Sequence, residues 1–256
     1  MLIDKDIVLK YLNSEDISDH WIFNLIQEGE YLFEKPSAEK KNDIRKLLFN
    51  IESGLLDFIP LNEKIYSSLY PNWREVLKDV NVILVVGCPN PYDAMVREYK
   101  KKEYIIFDLI RFNEYKDLGY DIDFVIRQLI THELSHLCLH KKYPPFDYNS
   151  FKEKLKYIVF DEGFAHILAF KEDLENYDFS KIIKDHYEDS VSKLNEALKE
   201  KDMNKQKKLI IESNSGKYWD KFGAVAGKLF LVDNIKNINE LYNRGPKNFI
   251  SSMNIL

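Results

Sequence analysis

Apolar positions recur at helical spacing along most of this chain. From Met1 to about Arg74, stretches such as "IFNLIQEGEYLFEK" and "IRKLLFNIESGLLDFI" place apolar residues on one helical face and charged residues on the other. The segments "PSAEKKND" and "PLNEK" are typical of breaks between helices. The pattern therefore predicts a helical N-terminal cap region over residues 1–75.

Two runs with strand composition follow this region. "NVILVVGC", Asn81 to Cys88, is rich in valine and isoleucine and is stopped by a glycine and a proline. "EYIIFDLIRF", Glu103 to Phe112, has a similar composition. These runs predict two or more strands of a small β-sheet.

Helical spacing returns at about Asp121 and predicts a helix that ends near Lys141. Ser150 and Glu153 have the spacing of a capping box and predict the start of a second helix. From about Phe179 the chain predicts further helices, broken near "ESNSGK" and "NRGPKN". The expected fold is α+β and mostly helical, with a second domain over residues 76–256 or one domain continuous with the cap.

Composition and charge exclude several classes of function. The chain has 256 residues and a net charge of -5, with its basic residues scattered, so we expect no nucleic-acid partner. It contains no apolar run of membrane-spanning length, and its first residues do not resemble a secretory signal. Cys88 and Cys138 lie in apolar surroundings, which favours buried thiols over a disulfide framework. A soluble, cytoplasmic protein is therefore expected.

The stretch "LITHELSHLCLH", Leu129 to His140, places His132 and His136 four positions apart on the first of these helices. Residues four apart share one helical face, so both imidazoles can bind one ion. Glu133 projects roughly 100° away and can hold a water that the ion binds. A water on zinc is an activated nucleophile, and a carboxylate beside it can take its proton and pass it to a leaving amine. The pattern predicts a zinc site with Glu133 as general base.

A chance match to His-Glu-x-x-His in a chain of this composition has a probability on the order of 1%. The alternative is a buried helix whose histidines form hydrogen bonds within the core. This helix is apolar almost all round, so histidines and a glutamate there need partners to offset their desolvation. A metal ion supplies that partner most simply.

Two histidines leave a catalytic zinc site one protein ligand short. His140 is near in sequence, but on a straight helix it lies about 12 Å from His132, which favours a place at the helix end or behind the ligands. Glu162 is the better candidate, because it continues the apolar stripe of the second helix. Gly163 beside it permits a close approach of another helix. A surface carboxylate or an ion pair between helices is the alternative for Glu162.

"HELSH" followed by "DEGFAH" resembles the gluzincin metallopeptidases, the thermolysin-like zincins, and the Glu-Gly-x-Ala form is similar to that of the MA-like peptidase group. The likeness covers about residues 128–170. It implies that His132, His136 and Glu162 bind Zn²⁺ and that Glu133 is the general base. It also implies a strand at the cleft edge that pairs with substrate, and "EYIIFDLIRF" lies in the expected place for it.

The resemblance is incomplete behind the ligands. Thermolysin-like enzymes have an aspartate four residues after the ligand glutamate, where this chain has His166. Asp161 is therefore a candidate to orient a ligand histidine. His166 and Tyr218 are candidates to donate to the oxyanion, a role that a tyrosine or histidine has in gluzincins. Ordinary packing or a structural hydrogen bond is the alternative for both.

The expected function is that of a zinc metallopeptidase acting on peptide or protein substrates. One alternative is a non-catalytic protein, or a regulatory protein with a single partner, on the same scaffold. The retained Glu133 argues against it, because a structural zinc site has no use for a general base. A second alternative is a structural helical protein with buried histidines and no metal.

Overall fold

The structure is a computed structural model that describes residues 1–24, 33–89, 92–145, 148–171 and 173–253. Residues 25–32, part of the predicted helical stretch "IFNLIQEGEYLFEK", lie outside the described residues. The chain forms two compact units, the first with Met1–Pro60 and Asn72–Leu134, the second with Leu61–Pro71 and Ser135–Leu256. The predicted division at residue 75 remains a prediction about folding domains.

Twelve α-helices form within the described residues. They are α1 (Asp6–Leu12), α2 (Trp21–Asn24), α3 (Lys41–Leu56), α4 (Glu63–Leu69), α5 (Trp73–Asp79), α6 (Leu109–Asp117), α7 (Ile122–Lys142), α8 (Phe151–Leu168), α9 (Ser180–Ala197), α10 (Met203–Asn214), α11 (Phe222–Asp233) and α12 (Ile238–Ser252). None of them, within the part of the chain described, is both long and apolar enough to cross a membrane.

The first unit contains a four-stranded mixed sheet. Its strands are β1 (Leu2–Asp4), β2 (Asn81–Val85), β3 (Ala94–Tyr99) and β4 (Lys102–Asp108), in the spatial order β1-β2-β4-β3. β2 is parallel to β1 and to β4, whereas β3 is antiparallel to β4. Together with the helices, this sheet confirms the predicted α+β, mostly helical fold.

The second predicted strand differs from the structure in two ways. The run Glu103–Phe112 is a strand only as far as Asp108, whose carboxylate accepts from the backbone N–H groups of Ile110 and Arg111 and so caps α6. The strand also has hydrogen-bonded neighbours on both sides, which leaves it no free edge, so the expectation that it is the cleft-edge strand that pairs with substrate is wrong. The edges of the sheet are β1 and β3, neither of which the hydrophobic pattern predicted.

The two helices that carry the motif are where the sequence predicts them. α7 ends at Lys142, and α8 begins after Ser150, whose hydroxyl accepts from the backbone N–H of Glu153 in a complete capping box. The apolar residues of α8 face several sides, because the helix packs against α10, α11 and α12 within the second unit. The predicted break in "NRGPKN" is a kink inside α12 at Gly245, whose φ is 72°.

The backbones of α8 and α11 approach closely at a pair of glycines. A Cβ added to Gly227 would lie 2.0 Å from the carbonyl oxygen of Val159, and one added to Gly163 would lie 2.9 Å from the carbonyl carbon of Gly227. Only glycine fits at either position without a shift of the backbone. The close approach that Gly163 was predicted to permit is therefore made with α11.

Candidate metal centre

The continuous helix α7 places the three motif residues within two turns. Glu133 and His136 are buried, and His132 is half-buried. Leu134 and Leu137, which lie among them, are almost fully buried, so α7 is held on several sides by apolar packing. The two histidines are thus fixed on a rigid element one turn apart.

Glu162 of α8 comes close to both histidines. One ligand atom from each of His132, His136 and Glu162 lies within 4.8 Å of the other two. Two imidazole nitrogens and one carboxylate oxygen are a donor set that zinc takes in catalytic sites. In a tetrahedral zinc site the ligand atoms are roughly 3.3 Å apart, so small side-chain rotations suffice to close this group on an ion. The residues that the sequence predicts as ligands therefore fit the metal.

Asp161 lies behind His136. Its Oδ1 is 2.8 Å from Nδ1 of His136, and its Oδ2 is 3.7 Å from Nε2 of His140. Burial raises the pKa of Asp161, but the interactions with His136 and His140 outweigh burial and leave the pKa below its ordinary value. The carboxylate is therefore ionised, and it holds the His136 ring with Nε2 as the nitrogen left for a ligand. This is the contact expected of a residue that orients a ligand histidine.

His136, His140 and Asp161 form a second group whose ligand atoms lie within 4.8 Å of one another. The 2.8 Å separation of Asp161 and His136 is the length of a charge-assisted hydrogen bond, and it is shorter than the spacing of two ligands on one zinc ion. We therefore interpret this group as the support of His136 rather than as a metal site. His140 is a partner of Asp161, and not a ligand together with His132.

Glu162 has polar neighbours of its own. Nδ2 of Asn214 donates to its Oε1 at 3.3 Å, and Nε2 of His166 lies 3.5 Å from its Oε2. Burial raises the pKa of Glu162, the charge of His136 lowers it, and the net pKa lies above the ordinary value. A cation is therefore the partner that would most favour the ionised carboxylate here. Asn214 was not predicted as a site residue, because no local signal in the sequence links the end of α10 to α8.

His166 and Tyr218, the two predicted oxyanion donors, are in contact with each other. Their rings pack edge to face with centroids 5.4 Å apart. Burial, with the positive charges of Lys221 and Lys228, holds the pKa of His166 well below its usual value, so the imidazole is neutral at pH 7. Tyr218 begins a 3-10 turn, Tyr218–Asp220, and its hydroxyl accepts a hydrogen bond from the ammonium of Lys228. Lys228 was not predicted as a site residue.

Replacing Asp161 with Asn is expected to lower zinc affinity by roughly 10- to 100-fold, as loss of a carboxylate behind a ligand histidine does in other zinc sites. The amide keeps the size of the side chain but loses the charge that favours the correct His136 tautomer. Competition with a zinc-binding dye measures the change. Asp185→Asn, at an exposed position of α9, makes the same charge change and should leave the affinity as it is. Equal affinities of the two variants would show that Asp161 has no part in metal binding.

Comparisons of the whole chain with protein-family models, with curated proteins and with solved structures gave no match.

Proposed function

We propose that this protein is a zinc-dependent hydrolase that cleaves peptide bonds. The observation that carries the proposal is the convergence of His132, His136 and Glu162, with the buried carboxylate of Glu133 one residue after the first ligand. Three protein ligands leave one position of a zinc site open to water, whereas a structural site is normally closed by a fourth protein ligand. The donor set therefore favours a catalytic site over a structural one.

Zinc, when bound, supplies a Lewis acid that polarises a carbonyl and lowers the pKa of a coordinated water to about 7. Glu133 accepts the proton of the attacking water and delivers it to the leaving amine, the work of a general base and then a general acid. Its burial keeps bulk water from competing for that proton. Asp161 keeps His136 in the tautomer that can act as a ligand. Asn214 holds one oxygen of Glu162, which limits the rotation of that ligand.

The test is the metal content of the chain, followed by hydrolysis. We expect about one zinc per chain by elemental mass spectrometry after purification without added metal or a histidine tag, since three ligands of this kind bind zinc tightly. The protein should cleave members of a library of short peptides, lose this activity on treatment with a chelator, and regain it with zinc. Binding of zinc without cleavage of any peptide would contradict the proposed hydrolase function. A protein that takes up no zinc on titration would contradict the metal site as well.

A further inference from the structure

Lys228 is a buried cation without an anionic partner among the described residues. It is the one charged residue between Phe222 and Val232 of the apolar helix α11, and its side chain is 5% exposed. Its Nζ donates to the hydroxyl of Tyr218 and lies 4.9 Å from the ring centroid of Phe170. No ion pair within 4.0 Å joins it to a carboxylate in the described parts of the chain. A neutral hydroxyl and the rings of Phe170 and Tyr218 do not balance a buried charge, so an anionic group would stabilise the ammonium here.

The hydrogen bond to Tyr218 has a fixed direction. An ammonium group carries three donors and no acceptor, so the phenol oxygen must accept. The O–H of Tyr218 therefore points away from Lys228 and can donate to another group. Lys228 keeps two further N–H donors. The pair thus offers donors from an ammonium and from a phenol side by side, which suits a group with two acceptor oxygens.

Lys228 and Tyr218 lie beside Glu162, the proposed ligand from α8. The ring of Tyr218 packs against His166, and Nε2 of His166 is 3.5 Å from the carboxylate of Glu162. Tyr218 as a whole residue is 38% exposed, whereas burial raises the pKa of its hydroxyl above the ordinary value, so the side chain lies between solvent and the buried ammonium of Lys228. Burial lowers the pKa of Lys228 to about 8, which leaves it charged at pH 7 in roughly nine molecules of ten. Two donors are therefore available close to a metal ligand.

We propose that Lys228 and Tyr218 bind a carboxylate of the substrate, so that the enzyme prefers peptides with a free carboxylate near the bond that it cleaves. That the bound molecule is a substrate rests on the proposed peptidase function. Binding of a carboxylate at Lys228 and Tyr218 can be tested without catalysis. The carboxylate can be the C-terminus of the peptide or an acidic side chain. In either case it supplies the negative charge that the buried ammonium lacks and accepts from both donors.

The experiment measures binding to the zinc-loaded Glu133→Gln protein, in which substrate is not consumed. Two pairs of dansylated peptides are compared: phenylalanyl-alanyl-alanine as the free acid and as its amide, and the amides of phenylalanyl-glutamyl-alanine and phenylalanyl-glutaminyl-alanine. We expect the acidic member of at least one pair to bind roughly tenfold or more tightly, because a buried ammonium discriminates strongly between charged and neutral partners. The pair that discriminates identifies the source of the carboxylate.

Two further variants assign the effect to these residues. Lys228→Met should bring the ratio of the affinities for the acidic and the neutral peptide of that pair to about one, while the affinity for the neutral peptide stays unchanged. Lys217→Met removes a lysine that is exposed and adjacent to Tyr218, and it should leave the ratio unchanged. The melting temperature of the Lys228→Met protein should not fall, because an apolar side chain of similar length replaces a buried charge. Tyr218→Phe, which keeps the ring and removes the hydroxyl, should lower the ratio in part.

Equal binding of acid and neutral peptides, or no binding of any of the four, would overturn the carboxylate site. A folded Lys228→Met protein that binds the acidic and the neutral peptide of a pair more weakly by the same factor would also overturn it, since the lysine would then support peptide binding in general and not recognise a carboxylate. Failure of the proposed function is a different result: a wild-type protein that cleaves no peptide while the Glu133→Gln protein still prefers the acid. Cleavage with no preference between acid and amide would support the peptidase function and contradict the carboxylate site.

Discussion

Replacing Glu133 with Gln is expected to lower kcat/KM for peptide hydrolysis by roughly 100- to 10 000-fold, the contribution usual for a positioned general base. Glutamine has the shape of glutamate, but its amide does not accept the proton of the attacking water. The zinc content should stay as in the wild type, because Glu133 is not among the ligand atoms that converge. Initial rates on a cleaved peptide and elemental mass spectrometry on the same sample measure both quantities.

Asp123→Asn is the matched control for this substitution. It changes a carboxylate to an amide on the same helix, at an exposed position in the first turn of α7. Both kcat/KM and zinc content should remain at wild-type values. If the Glu133→Gln protein hydrolyses peptides as fast as the wild type does, Glu133 is not the general base.

Replacing Glu162 with Ala is expected to weaken zinc binding by more than the roughly 100-fold that loss of a supporting residue costs, because a ligand itself is removed. His132 and His136 would remain as a two-nitrogen site, which holds zinc poorly. A chelator at a fixed free zinc concentration should therefore strip the variant and leave the wild type loaded. Peptide hydrolysis should fall together with the zinc content.

Glu188→Ala, at an exposed position of α9, removes the same group far from the metal ligands in sequence, and it should bind zinc like the wild type. Full zinc affinity in the Glu162→Ala protein would point instead to the group of His136, His140 and Asp161. In that case Asp161→Ala would abolish zinc binding. Zinc binding by the Glu162→Ala and Asp161→Ala proteins thus decides which of the two groups of residues holds the metal.

The sequence predicted best those features that depend on neighbours in the chain. The capping box at Ser150 and the helical spacing of α7 and α8 are local signals, and both helices form where they were expected. The convergence of Glu162 with His132 and His136 was inferred from an apolar stripe and a resemblance, and the structure brings these residues together. Their roles as ligands stay predictions until metal is measured.

The features that were missed depend on contacts between distant segments. β1 has three residues and β3 carries charged side chains, so neither has a hydrophobic pattern strong enough to be detected. The change from β4 to α6 lies inside one apolar run, where the only signal is the capping side chain of Asp108. Asn214 and Lys228 reach the site from α10 and α11, and spacing along the chain does not relate those helices to α8.

The glycine contact between α8 and α11 has a consequence for the recognition of related chains. Gly163 follows the proposed ligand Glu162, and Gly227 precedes Lys228, so one close approach of two backbones sets the position of both a proposed metal ligand and a cation. A mutation to alanine at either position pushes the helices apart, and selection on the site would remove it. Divergent relatives are therefore expected to keep Glu-Gly and a downstream Gly-Lys together. A search that joins these two pairs to His-Glu-x-x-His would separate such relatives from chance matches to the histidine motif.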